Sequence, residues 1–219
     1  MYLHLAKTNT ESGRKGDEMK MLPLKYKFII IFAALTILFS TLPATPVAAS
    51  SNRISLEEFK SAMSTTNSSK VVGVYVNDVM AVRVVKQSSD SHVTNIANTV
   101  TRFGQADKLG SIGLLAHNYL AGAYFSQIDI GTKIYLVYGD GSSKEYKVTS
   151  IEQYQALSPD DPYSKFINLD EPDIKVSASN LLYEMYGTNG SLVLQTCISK
   201  EGNLTWGRQF FIASPINKD

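Results

Sequence analysis

Three residue types in this chain could together carry nucleophilic chemistry on a carbonyl group. Cys197 is the only cysteine, and a cysteine thiolate is a nucleophile that forms covalent intermediates. Arg208 follows on the far side of the turn Lys200–Asn203, so antiparallel pairing could bring it next to Cys197. His117 is a candidate proton carrier at the end of an earlier apolar run, but spacing does not place it beside the other two. A structural cysteine that acts as a small hydrophobe is the competing interpretation.

The elements that must position these residues are mainly short strands. Asn77-Asp78 and Gly139-Asp140-Gly141 predict tight hairpins, and the segment 152–176, rich in Pro, Asp and Ser, predicts a long connection. Ser55 followed by Glu58 predicts a capped helix, and 177–186 a second helix before Gly187. β-branched and aromatic runs predict strands over residues 71–76, 79–85, 99–103, 111–117, 133–138, 144–151, 191–198 and 205–213. This pattern predicts an all-β fold, mainly strands with short helices, arranged as a closed barrel or a sandwich.

Residues 1–49 have the pattern of a secretory signal. Lys20, Lys25 and Lys27 precede the apolar run 28–42, and small residues lead to a cleavage position after Ala49. The apolar run is short for a membrane span, which needs about 20 residues, and an uncleaved anchor is the alternative. We therefore divide the chain into a signal peptide or N-terminal membrane anchor (1–49), a helical and polar lead-in (50–70) and a folded domain (71–219). The predicted location is secreted or at the extracytoplasmic face of the cell membrane.

The composition excludes some partners. The chain is 44% hydrophobic and 19% charged with a formal net charge of +1, and the part after residue 49 is slightly acidic. A chain with this charge balance lacks the excess of Lys and Arg by which proteins bind nucleic acid or anionic lipid surfaces. A secreted chain with one cysteine has no internal disulfide, so the thiol of Cys197 is free.

The residues around these positions resemble a known family. Leu192-Val193-Leu194-Gln195-Thr196-Cys197, followed by Trp206-Gly207-Arg208, resembles the cysteine and arginine strands of sortases. Leu114-Leu115-Ala116-His117-Asn118 is similar to their histidine segment, with alanine where the family more often has glycine before the histidine. The stretch from Phe125 through Ile128 to Gly131-Thr132-Lys133-Ile134 is similar to the sortase segment that follows. The resemblance spans roughly residues 71–215 and leaves the sortase class open.

The resemblance implies a fold, an activity and partners. The fold is a sortase-like closed β-barrel, and the activity is that of a cysteine transpeptidase, a thiol enzyme that cleaves a sorting-signal peptide through a thioester. It implies that Cys197 is the nucleophile, that His117 transfers protons and that Arg208 stabilises the oxyanion, with Thr196 in substrate binding. The partners are secreted proteins with a sorting-type peptide and an amine acceptor from peptidoglycan or a protein lysine. No cofactor or metal is expected.

Several alternatives remain at this stage. The same residues would serve a cysteine hydrolase that uses water as the acceptor, or a catalytically silent barrel that binds peptide in the same groove. The L,D-transpeptidase family expects a Ser-His-Gly-Cys cluster, which is missing around Cys197. The pentapeptide 42–46 looks like a sorting motif but coincides with the end of the signal. The aspartates in the predicted loops are expected to be solvated turn residues rather than calcium ligands: Asp140, Asp160, Asp161, Asp170 and Asp173.

Overall fold

The computed structural model describes residues 54–65 and 69–216. The predicted signal or anchor segment lies outside these residues, and the division of the chain at residues 49 and 70 stays a prediction. No helix in the described ranges is long and apolar enough to cross a membrane. The elements, in chain order, are α1 (Leu56–Met63), β1 (Val71–Val76), β2 (Met80–Lys86), β3 (Thr99–Phe103), α2 (Gly104–Lys108), β4 (Ile112–Leu115), a 3₁₀ helix (Ala121–Gln127), β5 (Lys133–Tyr138), β6 (Ser143–Ala156), β7 (Lys165–Asn168), β8 (Lys175–Ser177), α3 (Ala178–Tyr186), β9 (Leu192–Lys200) and β10 (Asn203–Pro215).

Eight of these strands close into a barrel. Hydrogen-bonded neighbours run in the order β10, β9, β4, β3, β2, β1, β5 and β6, and β10 also pairs with β6, which closes the sheet. The pairs β2–β3 and β4–β9 are parallel, and the other pairs are antiparallel. Strands β7 and β8 extend the sheet beyond β6. The predicted all-β closed barrel is therefore confirmed.

Strand β9 lies between two hydrophobic clusters, and its successive side chains point alternately into one and the other. Leu192 and Leu194 point into the barrel and belong to its core. Val193 points outward and packs in a second cluster, which α3 covers. The hydroxyl of Tyr186, on α3, donates a hydrogen bond of 2.6 Å to the side-chain carbonyl of Gln195, the next outward residue on β9. A strand that is covered on both faces has a nearly continuous apolar sequence, as residues 192–194 have.

Strand β6 serves both clusters because of a bulge at Thr149. The β10 register passes from Ser150 to Val148 without a partner for Thr149. An extra residue reverses which side chains face inward. Val148 before the bulge therefore lies in the barrel core, whereas Tyr154 and Ala156 after it lie in the outer cluster.

The prediction of a long connection over 152–176 is wrong. Strand β6 continues to Ala156, and β7 and β8 form a further hairpin within the segment. The change of alternation at the bulge hides the second half of β6 from a period-two pattern. The predicted strand over 111–117 is also shorter in the structure, because β4 ends at Leu115.

Other local predictions are confirmed. Helix α1 begins with a capping box in which the Glu58 backbone N–H donates to Ser55 Oγ and the Ser55 N–H donates to the Glu58 carboxylate. Helix α3 begins after the N-cap Ser177 and ends at Gly187. The hairpin after β1 turns at Asp78, whose φ of 58° lies in the left-handed region that short Asp side chains tolerate.

Candidate active site

The hairpin of β9 and β10 brings two of the predicted site residues together. Arg208 is the direct cross-strand partner of Cys197, two residues along from the pair formed by Phe210 and Gln195. Directly paired residues project from the same face of a sheet. That face is the outer one, because Phe210 belongs to the outer cluster. The predicted neighbourhood of Cys197 and Arg208 is therefore what the register shows.

A bulge precedes Arg208 on β10. After the pair Asn203–Lys200, the next pair is Gly207–Ile198, so residues 204–206 have only one residue of β9 opposite them. We refer to residues 204–206 as the hairpin bulge. Bulges break the regular ladder and redirect the chain, which frees backbone carbonyls for other donors.

Carbonyl oxygens hold the guanidinium of Arg208. Its Nη1 donates to the carbonyls of Thr205 and Gly207, each at 2.9 Å, and its Nη2 donates to the carbonyl of Pro159 at 3.4 Å. The guanidinium also lies 6.0 Å from the centre of the Phe166 ring, on β7. Arg208 thus connects the hairpin bulge, the loop after β6 and the outer cluster.

Parallel pairing of β4 with β9 places the histidine segment beside the cysteine strand. Leu115 is paired with Gln195, and the backbone N–H of Ala116 donates to the Gln195 carbonyl at 3.1 Å. His117 follows two residues after Leu115, and Cys197 follows two residues after Gln195, so the turn that begins at His117 starts next to the part of β9 that carries Cys197. The three predicted residues therefore lie on the neighbouring strands β4, β9 and β10 or directly after them.

The turn after His117 is tightly folded. The carbonyl of His117 accepts hydrogen bonds from the backbone N–H groups of Leu120 and Gly122, each at 3.0 Å. The imidazole stacks on the exposed ring of Tyr119, with 5.1 Å between ring centres and 17° between planes. Gly122 is required for this approach, because a β-carbon there would lie 2.7 Å from the His117 carbonyl oxygen.

Thr196 lies on the opposite face of β9 from Cys197. Its hydroxyl donates to the carbonyl of Ala116 at 3.0 Å, and the residue is only 5% exposed. This buried bond joins the cysteine strand to the residue before His117. The substrate-binding role of Thr196 stays a prediction, and its hydroxyl is already engaged with the histidine segment.

Burial and charge act in opposite directions on the thiol. Burial raises the pKa of Cys197 above the ordinary cysteine value, and the neighbouring Arg208 guanidinium lowers it in part. The thiolate is the reactive form, and a raised pKa leaves the neutral thiol as the main species at neutral pH. Nucleophilic attack by Cys197 therefore needs a proton acceptor, and an imidazole brought next to the sulfur would suit that role.

A pocket of ≈ 430 Å³ opens between the histidine segment and the hairpin. Of the three predicted catalytic residues, only Cys197 lines it. Besides Cys197, its walls are uncharged and combine polar with apolar groups; they are formed by Asn118, Tyr119, Gly122, Ala123, Ser126, Gln153, Thr196, Ile198, Ser199, Leu204 and Gln209. Uncharged walls with a few polar groups suit a peptide, which offers hydrogen-bond donors and acceptors together with apolar side chains.

The aspartates of the predicted loops make local contacts. Asp140 accepts from the backbone N–H of Ser142, and Asp161 accepts from that of Tyr163. Asp160 accepts from the hydroxyl of Thr205 at 3.1 Å, which ties the loop after β6 to the hairpin bulge. Within residues 54–65 and 69–216, no group of three or more His, Cys, Asp or Glu side chains is arranged to hold a metal ion.

Two residues of the site were not singled out from the sequence. Asn118 forms side-chain hydrogen bonds to the hairpin, and Gly122 permits the tight turn after His117. The only sequence signal for either is their place directly after a candidate histidine. The partners of Asn118 are remote in the chain, so local sequence patterns carry no information about them.

Comparisons with known proteins give matches among solved structures. Sortase A of Listeria monocytogenes is 17% identical with a TM-score of 0.45, and the match covers 67% of this chain and 87% of that one. Sortase C of Clostridium perfringens is 13% identical with a TM-score of 0.45, over 69% and 72% of the two chains. A Clostridium perfringens sortase D5 transpeptidase is 15% identical with a TM-score of 0.42, over 75% and 91%. No family model matches the sequence, and no curated protein matches it.

Proposed function

We propose that this chain is a sortase-type cysteine transpeptidase. The observation that carries the proposal is the arrangement of His117, Cys197 and Arg208 on three adjacent parts of one sheet, with Cys197 in the middle. A nucleophile with a proton carrier on one side and a cationic donor on the other is the set that acyl transfer requires.

The chemistry follows from this order. His117 accepts the thiol proton of Cys197 as the sulfur attacks the carbonyl carbon of a peptide bond. Arg208 stabilises the oxyanion of the tetrahedral intermediate, for which its guanidinium would turn from the carbonyls that it contacts at rest. The carbon–nitrogen bond then breaks, His117 gives its proton to the leaving amine, and a thioester remains on Cys197. An incoming amine attacks the thioester and loses a proton to His117, the carbon–sulfur bond breaks as the amide forms, and His117 returns the proton to the sulfur of Cys197.

The proposed substrate and acceptor come from the resemblance of residues 71–215 to sortases. The acyl donor is a secreted protein with a sorting-type peptide, and the acceptor is an amine of peptidoglycan or of a protein lysine. The signal pattern of residues 1–49 supports action outside the cytoplasmic membrane, where both partners would be found. The uncharged pocket beside Cys197 suits a peptide chain rather than a strongly charged ligand.

A second candidate is a barrel that binds the same peptide without acyl transfer, or that only hydrolyses it. Two observations favour the barrel that only binds: burial raises the pKa of Cys197, and backbone carbonyls already accept from the donors of Arg208. A hydrolase would need the same activated nucleophile as the transpeptidase. Both features would weaken a resting nucleophile. They leave open a site that becomes competent when substrate displaces these contacts.

Intact-mass spectrometry with candidate sorting peptides separates the two functions. The expected result is a peptide adduct on Cys197 that hydroxylamine removes, and an amide product when an amine acceptor is added. Cys197→Ala should give neither, while keeping the unfolding temperature of the wild type. A library of sorting peptides that binds without any adduct would favour the silent barrel, and adduct turnover to free acid despite excess amine would favour a hydrolase.

A further inference from the structure

The side chain of Asn118 crosses to both strands of the Cys197–Arg208 hairpin. Its Nδ2 donates to Ser199 Oγ at 2.8 Å and to the carbonyl of Leu204 at 2.9 Å. Ser199 lies on β9 shortly after Cys197, and Leu204 is the first residue of the hairpin bulge. One carboxamide therefore spans the two strands that hold the nucleophile and the cationic donor.

The other contacts of the histidine segment have a different effect. The bonds from Leu120 and Gly122 to the His117 carbonyl close the turn on itself. The bond from Thr196 holds Ala116 against the inner face of β9. The bonds of Asn118 instead join the turn after His117 to the turn end of the hairpin, beyond the paired part of β4.

We propose that Asn118 is a positioning residue that keeps the turn of His117 against the Cys197–Arg208 hairpin by joining that turn to Ser199 and to the hairpin bulge. This inference rests on the proposed function, because it assigns His117 the proton transfer. Asn118 is adjacent to His117 in the chain, so rotation of the turn away from the hairpin would carry the imidazole with it. The stacking of Tyr119 orients the ring but does not link the turn to β9 or β10.

The chemistry of the contact requires an amide. The NH₂ group of Asn has two donor hydrogens, and the two acceptors here lie on different strands. A carboxylate offers no donor, and a hydroxyl offers only one. Asn118→Leu keeps the size of the side chain without adding charge, and removes both bonds.

Alkylation of Cys197 by iodoacetamide tests the inference without a peptide substrate. A neighbouring proton acceptor that becomes positively charged stabilises the thiolate, so His117→Ala should slow alkylation at neutral pH by about tenfold. Asn118→Leu should slow it by a similar factor, and its pH profile should coincide with that of His117→Ala. Ser199→Ala, which leaves the Leu204 acceptor in place, should lie between Asn118→Leu and the wild type.

A double variant separates positioning from general loosening. If Asn118 acts through His117, adding Asn118→Leu to His117→Ala should cost nothing further, whereas independent effects would multiply. The matched control is Gln87→Met, because Gln87 Nε2 likewise donates to two carbonyls, those of Asp90 and His92, between β2 and β3. Gln87→Met should alkylate at the wild-type rate.

Each outcome decides between readings. A normal rate for Asn118→Leu, or a multiplied loss in the double variant, would overturn the inference while leaving the proposed function intact. A normal rate for His117→Ala would overturn both, because His117 would then have no effect on the thiol. Melting temperatures for all variants show whether a slow rate comes from an intact fold.

Discussion

The hydroxyl of Thr196 gives a quantitative test of how the cysteine strand is joined to the histidine segment. Thr196→Val keeps the shape of the side chain and removes only the donor. The carbonyl of Ala116, a residue that is 6% exposed, would then lose the 3.0 Å bond that it accepts from the hydroxyl. Leaving a buried acceptor unpaired costs about 1–3 kcal/mol. We therefore expect the free energy of unfolding to fall by that amount.

Urea denaturation followed by tryptophan fluorescence measures this loss. Trp206 is the only tryptophan and lies in the hairpin bulge, so its emission reports on the region of the site. Thr196→Ser is the control: it keeps the hydroxyl and removes one methyl group, which is worth about 0.8 kcal/mol. An unchanged unfolding free energy for Thr196→Val, together with weaker peptide binding, would refute the buried bond and assign the hydroxyl to the substrate.

Three further perturbations test separate parts of the site. Arg208→Ala should raise the pKa of the Cys197 thiol further, because the guanidinium lowers it. The pH profile of alkylation should then shift to higher pH, and an unshifted profile would show that Arg208 does not act on the thiol. Gly122→Ala should lower the unfolding temperature and slow peptide acylation, because its β-carbon would clash with the His117 carbonyl oxygen. Wild-type values for both measurements would contradict the tight turn after His117. Burial raises the pKa of Tyr186, so the unfolded state ionises first, near pH 10, and stability should fall above that pH. In Tyr186→Phe the slope should be shallower by about 1.4 kcal/mol per pH unit, measured by urea denaturation between pH 9 and 11.

That Cys197 and Arg208 lie near each other could be predicted because two apolar runs flank the turn Lys200–Asn203 and can form a local hairpin. The exact pairing could not, because a regular hairpin continued from Lys200–Asn203 would place Trp206 opposite Cys197, and the hairpin bulge shifts the register by two residues to Arg208. The hairpin bulge could not be predicted, because residues 204–206 carry no glycine or proline to mark the irregularity. The place of His117 was equally hidden, since it depends on parallel pairing between β4 and β9, which lie far apart in the chain.

Strand β6 shows a different limit. The first half alternates as a strand with one face in the core, and Thr149 then breaks the alternation without any turn residue. After this change Gln153 faces the pocket beside Cys197 rather than a hydrophobic core, which is why a polar residue is accommodated there. A pattern method that expects one period per strand ends the element at the bulge. The outer cluster, and with it the wall behind Arg208, is lost from the prediction for the same reason.

The site is assembled by two kinds of pairing, and this has a consequence for its perturbation. The hairpin and the pairing of β10 with β6 hold Cys197 and Arg208 together, so many backbone hydrogen bonds along β10 fix their register. His117 follows the end of a four-residue strand, and its segment is held by the bonds of Thr196 and Asn118. Losses at those two contacts should therefore separate the proton carrier from the nucleophile before they disturb the hairpin. Variants at Thr196 and Asn118 should lose reactions that need His117 while retaining the effect of Arg208 on the thiol, and a loss of both effects together would mean that the site is one cooperative unit.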